Sequence, residues 1–266
     1  MPAPYSASHE ACAQYAVKTV PVSQPLAWLA RGWADMCSAT GPSLLHGVLV
    51  ALGGIAILAL TARYSSVLLP GAFSGFVIVG PILATGLYEL SRVREHGGQP
   101  GFADVLAAWR RGTRPLVWLG VLLFLAGTLW VLMSAVIFKL FVRVPIADPL
   151  SFLRYAVGTQ GNLLFSLWTI LGGLGAALVF AATVVSAPLL LDRHIELRDA
   201  VYASIRAVGE NPSAMAFWAA LIMLATALSV ATLSIGFVLA VPVIGHATWH
   251  AYRDLLDTRT LPARHR

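Results

Sequence analysis

The chain has 266 residues, 58% of them apolar and only 11% charged, with a formal net charge of +6. Soluble domains average about 25% charged residues, so this composition excludes an ordinary soluble globular protein. Uncharged stretches of the ~20 residues needed to cross a hydrocarbon core recur along most of the chain, and the sequence reads as an all-α, polytopic membrane protein.

The first residues are polar and rich in Ala, Ser and Pro. They lack the basic stretch leading into an apolar run that marks a cleaved signal peptide, so residues 1–25 read as a disordered cytoplasmic tail. Cys12 and Cys37 are the two cysteines; without CxxC or a Cys/His zinc spacing, neither a disulfide framework nor a zinc module is indicated.

Six spans are predicted at 43–62, 67–89, 115–138, 163–189, 213–231 and 234–252, forming with their flanks a membrane domain over 26–256, followed by a basic cytoplasmic tail over 257–266. Gly80 and Pro81 in the second span and Pro242 in the sixth predict kinks. Basic residues outside the spans set orientation, because Lys- and Arg-rich loops stay in the cytoplasm. Lys18, Arg31, Arg92, Arg94, Arg110, Arg111, Arg114, Arg193, Arg198, Arg206, Arg253, Arg259, Arg264 and Arg266 fall on one side; Arg63, Lys139, Arg143 and Arg154 fall on the other. Both termini are therefore expected in the cytoplasm, and the net charge points to contact with anionic lipid, not to nucleic acid.

Aligning Pro81 with Pro242 sets FVIVGPILATGLYELSR (76–92) over FVLAVPVIGHATWHAYR (237–253) without a gap. Each odd-numbered span also follows a short amphipathic stretch and a proline: Leu26, Leu29, Trp33 and Met36 before Pro42; Phe102, Val105, Leu106 and Trp109 before Pro115; Leu197, Val201, Ile205 and Val208 before Pro212. Apolar residues at helical spacing with arginine opposite suit helices lying in the membrane interface. The expected architecture is three pseudo-repeats of interfacial helix plus helical hairpin, the middle one interrupted by a longer outer loop at about 140–162.

Ionisable residues at membrane depth are functional candidates, because burying them is costly unless they are paired. The candidate polar site comprises His46, Glu89, Arg92, Asp192, Arg193, His246, His250, Arg253 and Asp254, all predicted toward the cytoplasmic leaflet. His246 and His250 are four apart, share one helix face, and are the candidate metal ligands if other helices complete the set. They cannot be opposite axial ligands of one haem. The preferred reading makes them hydrogen-bonded groups at a helix end, with Tyr88, Trp249 and Tyr252 as an aromatic belt. Glu89, Arg92, Arg253 and Asp254 read as ion pairs, and no cofactor is predicted.

LGGLGAALVFAA (171–182) contains a dinucleotide-like glycine spacing inside a span, which lacks the strand that fingerprint requires. Gly172, Gly173, Ala176 and Ala177, with Gly71 and Gly75, instead predict close helix packing or a dimer contact. HExxH, GxSxG and P-loop motifs are missing from the sequence, so nothing argues for an enzyme.

The segments Gly80–Arg92, Ser186–Arg193, Asn211–Pro212 and Gly245–Asp254 resemble a bacterial integral-membrane family labelled domain of unknown function twenty-one eighty-nine, over about Trp28 to Leu256. The resemblance implies an inner-membrane location in Gram-negative bacteria and carries over no catalytic residue. The expected function is a non-catalytic accessory or assembly component of a larger membrane complex, with a membrane-protein partner or a second copy of itself. The alternatives are a small-solute or metal-ion transporter using His46, Glu89, His246 and His250, and a metal- or haem-binding membrane protein.

Overall fold

The computed structural model describes residues 15–64, 69–110, 112–142, 154–155 and 162–264. Cys12, Arg111, Arg143, Arg266 and most of the outer loop at 140–162 lie outside the described residues. Among the described residues, two short antiparallel strands, β1 (Ala16–Val17) and β2 (Leu256–Asp257), pair residues far apart in an otherwise mainly helical structure.

Helix α1 (Gln24–Ser38) starts with Pro25 in its first turn, where a missing N–H is no loss. It runs almost directly into α2 (Thr40–Tyr64). Next come α3 (Leu69–Ile78), α4 (Gly80–Leu83) and α5 (Thr85–Glu95), three pieces of one interrupted path. Pro81 supplies no backbone donor there, and around it the ladder tightens into three-residue bonds such as Ile82 N to Val79 O, at 3.2 Å. Then follow α6 (Phe102–Arg110) and α7 (Arg114–Phe141), whose start is capped by the Thr113 hydroxyl accepting from Leu116 N at 3.3 Å.

The second half contains α8 (Asn162–Thr183), α9 (Ser186–Asp192), α10 (Leu197–Glu210), α11 (Pro212–Ala231) and α12 (Phe237–Leu255). Pro242 sits inside α12 without dividing it, unlike Pro81.

Among the described residues, four stretches are long and apolar enough to cross a membrane: Thr40–Thr61, Arg114–Phe141, Leu163–Asp192 and Pro212–Ala231. Their apolar character extends to the outside. On α7, Leu116, Leu119, Leu123, Gly127, Trp130 and Ser134 form a buried stripe at three- and four-residue spacing, while Trp118, Leu122, Phe124, Leu125, Leu129 and Leu132 are exposed. Water would not tolerate so continuous an apolar surface, and lipid does. Of the other two expected spans, the second is the interrupted α3–α5 path and the sixth is α12, polar from His246 onward.

The largest side chains meet at one end, where Trp28, Leu87, Leu189, Leu190, Trp218, Trp249, Tyr252 and Leu255 are fully buried. Trp28 and Trp218 stack edge to face with centroids 5.7 Å apart. Helix α12 runs through this core and packs on α1, α2 and α5. A Cβ added at Gly32 would lie 2.6 Å from Val243 O, so α1 and α12 touch backbone to backbone.

That contact changes the expected role of α1. Its predicted apolar face divides: Met36 is buried, while Leu26 and Trp33 stay exposed. Helix α10 turns the small residues Ala200, Ala203, Ser204 and Ala207 inward and exposes Ile205. On α6, Phe102, Leu106 and Trp109 are exposed.

Among the predicted packing residues, Gly71 faces Ser134, Gly75 faces Gly127 and Val131, and Gly172 faces Trp130. Gly173, Ala176 and Ala177 are exposed and make no close packing within the described chain, because the inward face of α8 is set by Leu164, Trp168 and Gly172 instead.

Within the N-terminal segment, expected to be disordered to residue 25, the described residues from Tyr15 are held against the helices. Lys18 N donates to Leu255 O at 2.8 Å, and Asn211 accepts from Val20 N at 2.8 Å while donating to Lys18 O at 3.0 Å. The tail after 256 also returns to the body: Leu261 is buried, and Arg264 N donates to Asp192 O at 2.9 Å.

Candidate functional site

The polar residues gather at the same end as the large core, in four groups. The first is built on Asp35 of α1, which the α1–α12 contact buries to 6% exposure. Its Oδ2 accepts from Ser91 Oγ at 2.6 Å and from His250 Nε2 at 3.0 Å, and its Oδ1 accepts from Arg94 at 2.7 Å. His246, fully buried, has Nδ1 2.7 Å from Ser91 Oγ and Nε2 2.9 Å from Ser43 Oγ.

Counting hydrogens fixes the direction of this chain. Ser91 spends its one hydrogen on the carboxylate, which only accepts. Ser91 Oγ must then accept from His246 Nδ1–H, leaving Nε2 of the neutral ring to accept from Ser43. The order Ser43, His246, Ser91, Asp35 resembles the polarised chain of a serine nucleophile. Ser43 is itself fully buried, so it is not presented to a substrate, and the chain acts as a four-member bolt joining α1, α2, α5 and α12. Burial raises the pKa of Asp35, yet hydrogen bonds from His250 and Ser91 and the nearby charge leave it below the ordinary 3.8.

His46 lies close to this group without joining it. Its Nδ1 donates to Pro42 O at 3.0 Å, its ring meets Trp109 edge to face, and its buried Nε2 has no hydrogen-bond partner among the described residues.

The second group is Glu89 with Arg92. Arg92 Nε and Nη2 hold the two carboxylate oxygens at 2.8 and 2.9 Å, a bidentate pair, and Nη1 donates to Arg264 O at 3.1 Å. Both residues border a cavity of about 220 Å³ shared with Thr113, His194 and Arg264.

The third group centres on Asp192, which accepts from Tyr252 at 2.7 Å and from Arg193 at 3.0 Å, with Arg253 at 3.8 Å. Arg253 also donates to Glu95, as does Trp249 at 2.8 Å. In the fourth, Asp254 accepts from Gln24 at 2.7 Å, Trp28 at 2.8 Å and Arg31. Burial raises Asp254, but the hydrogen bonds from Arg31, Gln24 and Trp28 hold it below its ordinary value.

Thus the nine candidate residues share one end of the molecule but do not meet at one point. His246 and His250 converge on Asp35, one through Ser91 and the other directly, while Glu89 turns to the cavity. Among the described residues no group of three or more His, Cys, Asp or Glu is placed to hold a metal ion. Sequence reasoning missed Asp35, Ser43, Ser91, Arg94 and Glu95. One signal was available: Asp35 is the sole carboxylate of α1, set between Trp33 and Met36.

Residues 68–192 match the model of a family described as predicted integral membrane protein (DUF2189). The match spans Gly80–Arg92 and Ser186–Asp192, two of the segments that carry the sequence resemblance, and ends before Gly245–Asp254. No curated protein and no solved structure matches the chain.

Proposed function

Starting from an integral membrane protein, we propose that the chain is a non-catalytic accessory or assembly component of a larger complex in the bacterial inner membrane. The observation that carries this reading is the mutual consumption of polar groups: Asp35, Glu89, Asp192, Asp254 and both nitrogens of His246 are spent on partners within the chain. Helices α8 and α11 carry no ionisable side chain, so neither continues a polar path through the bilayer. What the molecule offers outward is apolar helix surface and exposed aromatic side chains at the interfacial helices, which suit protein contacts within a membrane. Affinity purification in mild detergent is expected to recover one reproducible membrane partner. Recovery of the chain alone, or as a simple oligomer, sinks the reading.

The accompanying topology has six crossings and both termini cytoplasmic, with α3–α5 and α12 as the second and sixth. In favour of three repeated units, each amphipathic helix (α1, α6, α10) precedes a long apolar helix (α2, α7, α11), followed by a proline-bearing path through Pro81, Pro188 or Pro242. Reporter fusions after residues 98, 194 and 264 are expected to read cytoplasmic, and fusions after 64, 142 and 233 periplasmic.

One observation favours the small-solute alternative: the buried Nε2 of His46, without a partner among the described residues, is an acceptor of the kind a transported cation or donor would use. Proteoliposome uptake lost in His46→Leu, with the fold retained, would support it.

A further inference from the structure

We propose that the cavity bordered by Arg92, Thr113, His194 and Arg264 binds an anionic phosphate group, carried on a lipid headgroup or free in solution. At about 220 Å³ it exceeds several times the ~30 Å³ share of one water molecule, enough for a multi-atom polar group.

The charges around it do not cancel in the same way. Glu89 gives both oxygens to Arg92, so that pair is neutral as a unit. Asp192 is shared among Tyr252, Arg193 and Arg253. Arg264 has no carboxylate within ion-pair distance among the described residues; its Nε donates to the carbonyl of Arg193 at 2.8 Å. Burial lowers the pKa of this guanidinium, so its charge is partly stripped of water without a counter-ion. Four of its five N–H groups have no partner among the described residues, and a guanidinium fork matches phosphate oxygens in pairs. The Thr113 hydroxyl accepts from Leu116 N and keeps its hydrogen to donate.

Position adds to the charge argument. The cavity lies where the interfacial helix α6 passes into the long apolar α7, between exposed Trp109 on one side and exposed Val117 and Trp118 on the other. In the topology proposed above, that junction lies at the level of the bilayer's phosphate groups. Leu116 and Leu191 give it an apolar wall against which a glycerol backbone can pack.

The test uses the full chain in neutral detergent at matched ionic strength, titrated with short-chain phosphatidylglycerol, short-chain phosphatidylcholine or inorganic phosphate. Binding is read by native mass spectrometry and thermal midpoint. Phosphatidylglycerol is expected to bind at least tenfold tighter than phosphatidylcholine, whose ammonium cancels the charge. Arg264→Gln should lose at least tenfold, Arg264→Lys, which keeps the charge without the fork, should fall between Arg264→Gln and the native chain, and His194→Gln should weaken binding while leaving the backbone bond from His194 N to Pro262 O in place. A response to inorganic phosphate as well identifies the free anion as sufficient; a response to the lipid alone assigns the site to a headgroup. Equal binding of both lipids without a phosphate response, or unchanged affinity in folded Arg264→Gln and His194→Gln, overturns the proposal. None of these outcomes depends on whether a protein partner is recovered.

Discussion

Asp35 takes three side-chain hydrogen bonds on two oxygens while almost withdrawn from solvent, and its donors come from two other helices. Removing the acceptor leaves Ser91, His250 and Arg94 without it at once, and unsatisfied buried donors cost about 1–3 kcal/mol each. Because Arg94 is 40% exposed, its share is small. Asp35→Ala should therefore destabilise the protein by roughly 3 kcal/mol, read as a lower thermal midpoint in detergent, while Asp257→Ala at the surface should leave it near wild type. The same carboxylate sets an acid limit. Asp35 and Asp254 are held below 3.8 in the folded protein, so their contribution is complete above that unfolded value. It is lost as pH falls through the depressed folded values. Near-UV circular dichroism should hold constant from pH 7 to 5 and begin to fall below pH 4, and Asp35→Asn should flatten that decline.

At the scale of elements, the α1–α12 crossing depends on Gly32, where any side chain would meet Val243 O and Ala247 within 3 Å. Gly32→Val should cost about 1–3 kcal/mol by overpacking and increase protease cleavage near residues 15–23, because α1 carries β1 away with it. Gly173→Val, on the open face of α8, serves as the control and should change neither readout. The long apolar helices and the three amphipathic ones were legible in the sequence because length and a 3.6-residue period are local signals. Asp35 was not. A carboxylate on an interfacial helix is expected to face water, and what turns it inward is a glycine contact with a helix more than 200 residues later. The broken α3–α5 path was legible in outline from Gly80 and Pro81, whereas the equivalent Pro242 leaves α12 continuous, a difference the aligned motifs do not encode.

For the whole molecule, the ionisable side chains of α1, α5, α9 and α12 form a connected plate of bonds from which the apolar helices extend. The sequence reading expected the candidates toward one leaflet; in the structure they divide among four hydrogen-bonded groups packed around α5 and α12. Their pairing into separate groups follows from side-chain direction, which depth alone cannot supply. The tails belong to this plate: Asn211 ties down residues 18–20, and Arg264 reaches back to Asp192 and Arg193. A chain ending at Ala263 should keep its helical content but lose thermal stability, since it gives up the Arg264 bonds to Asp192, Arg193 and Arg92; circular dichroism and a melting curve on the same sample check both halves of that expectation.

Ser43 and His246, bonded in the folded protein, are separated by 203 residues. At synthesis rates of about 5–20 residues per second, the first apolar helix waits roughly 10–40 seconds for the last one. During that interval Ser43, Asp35 and Ser91 are in place without their histidines, so each nascent chain passes through a stage in which its most polar interior is open to solvent, quality-control proteases or a helper protein. Synthesis arrested at residue 236 should yield inserted chains that are degraded faster than full-length protein in a pulse-chase experiment. Equal lifetimes would mean that the early helices find another way to cover those groups.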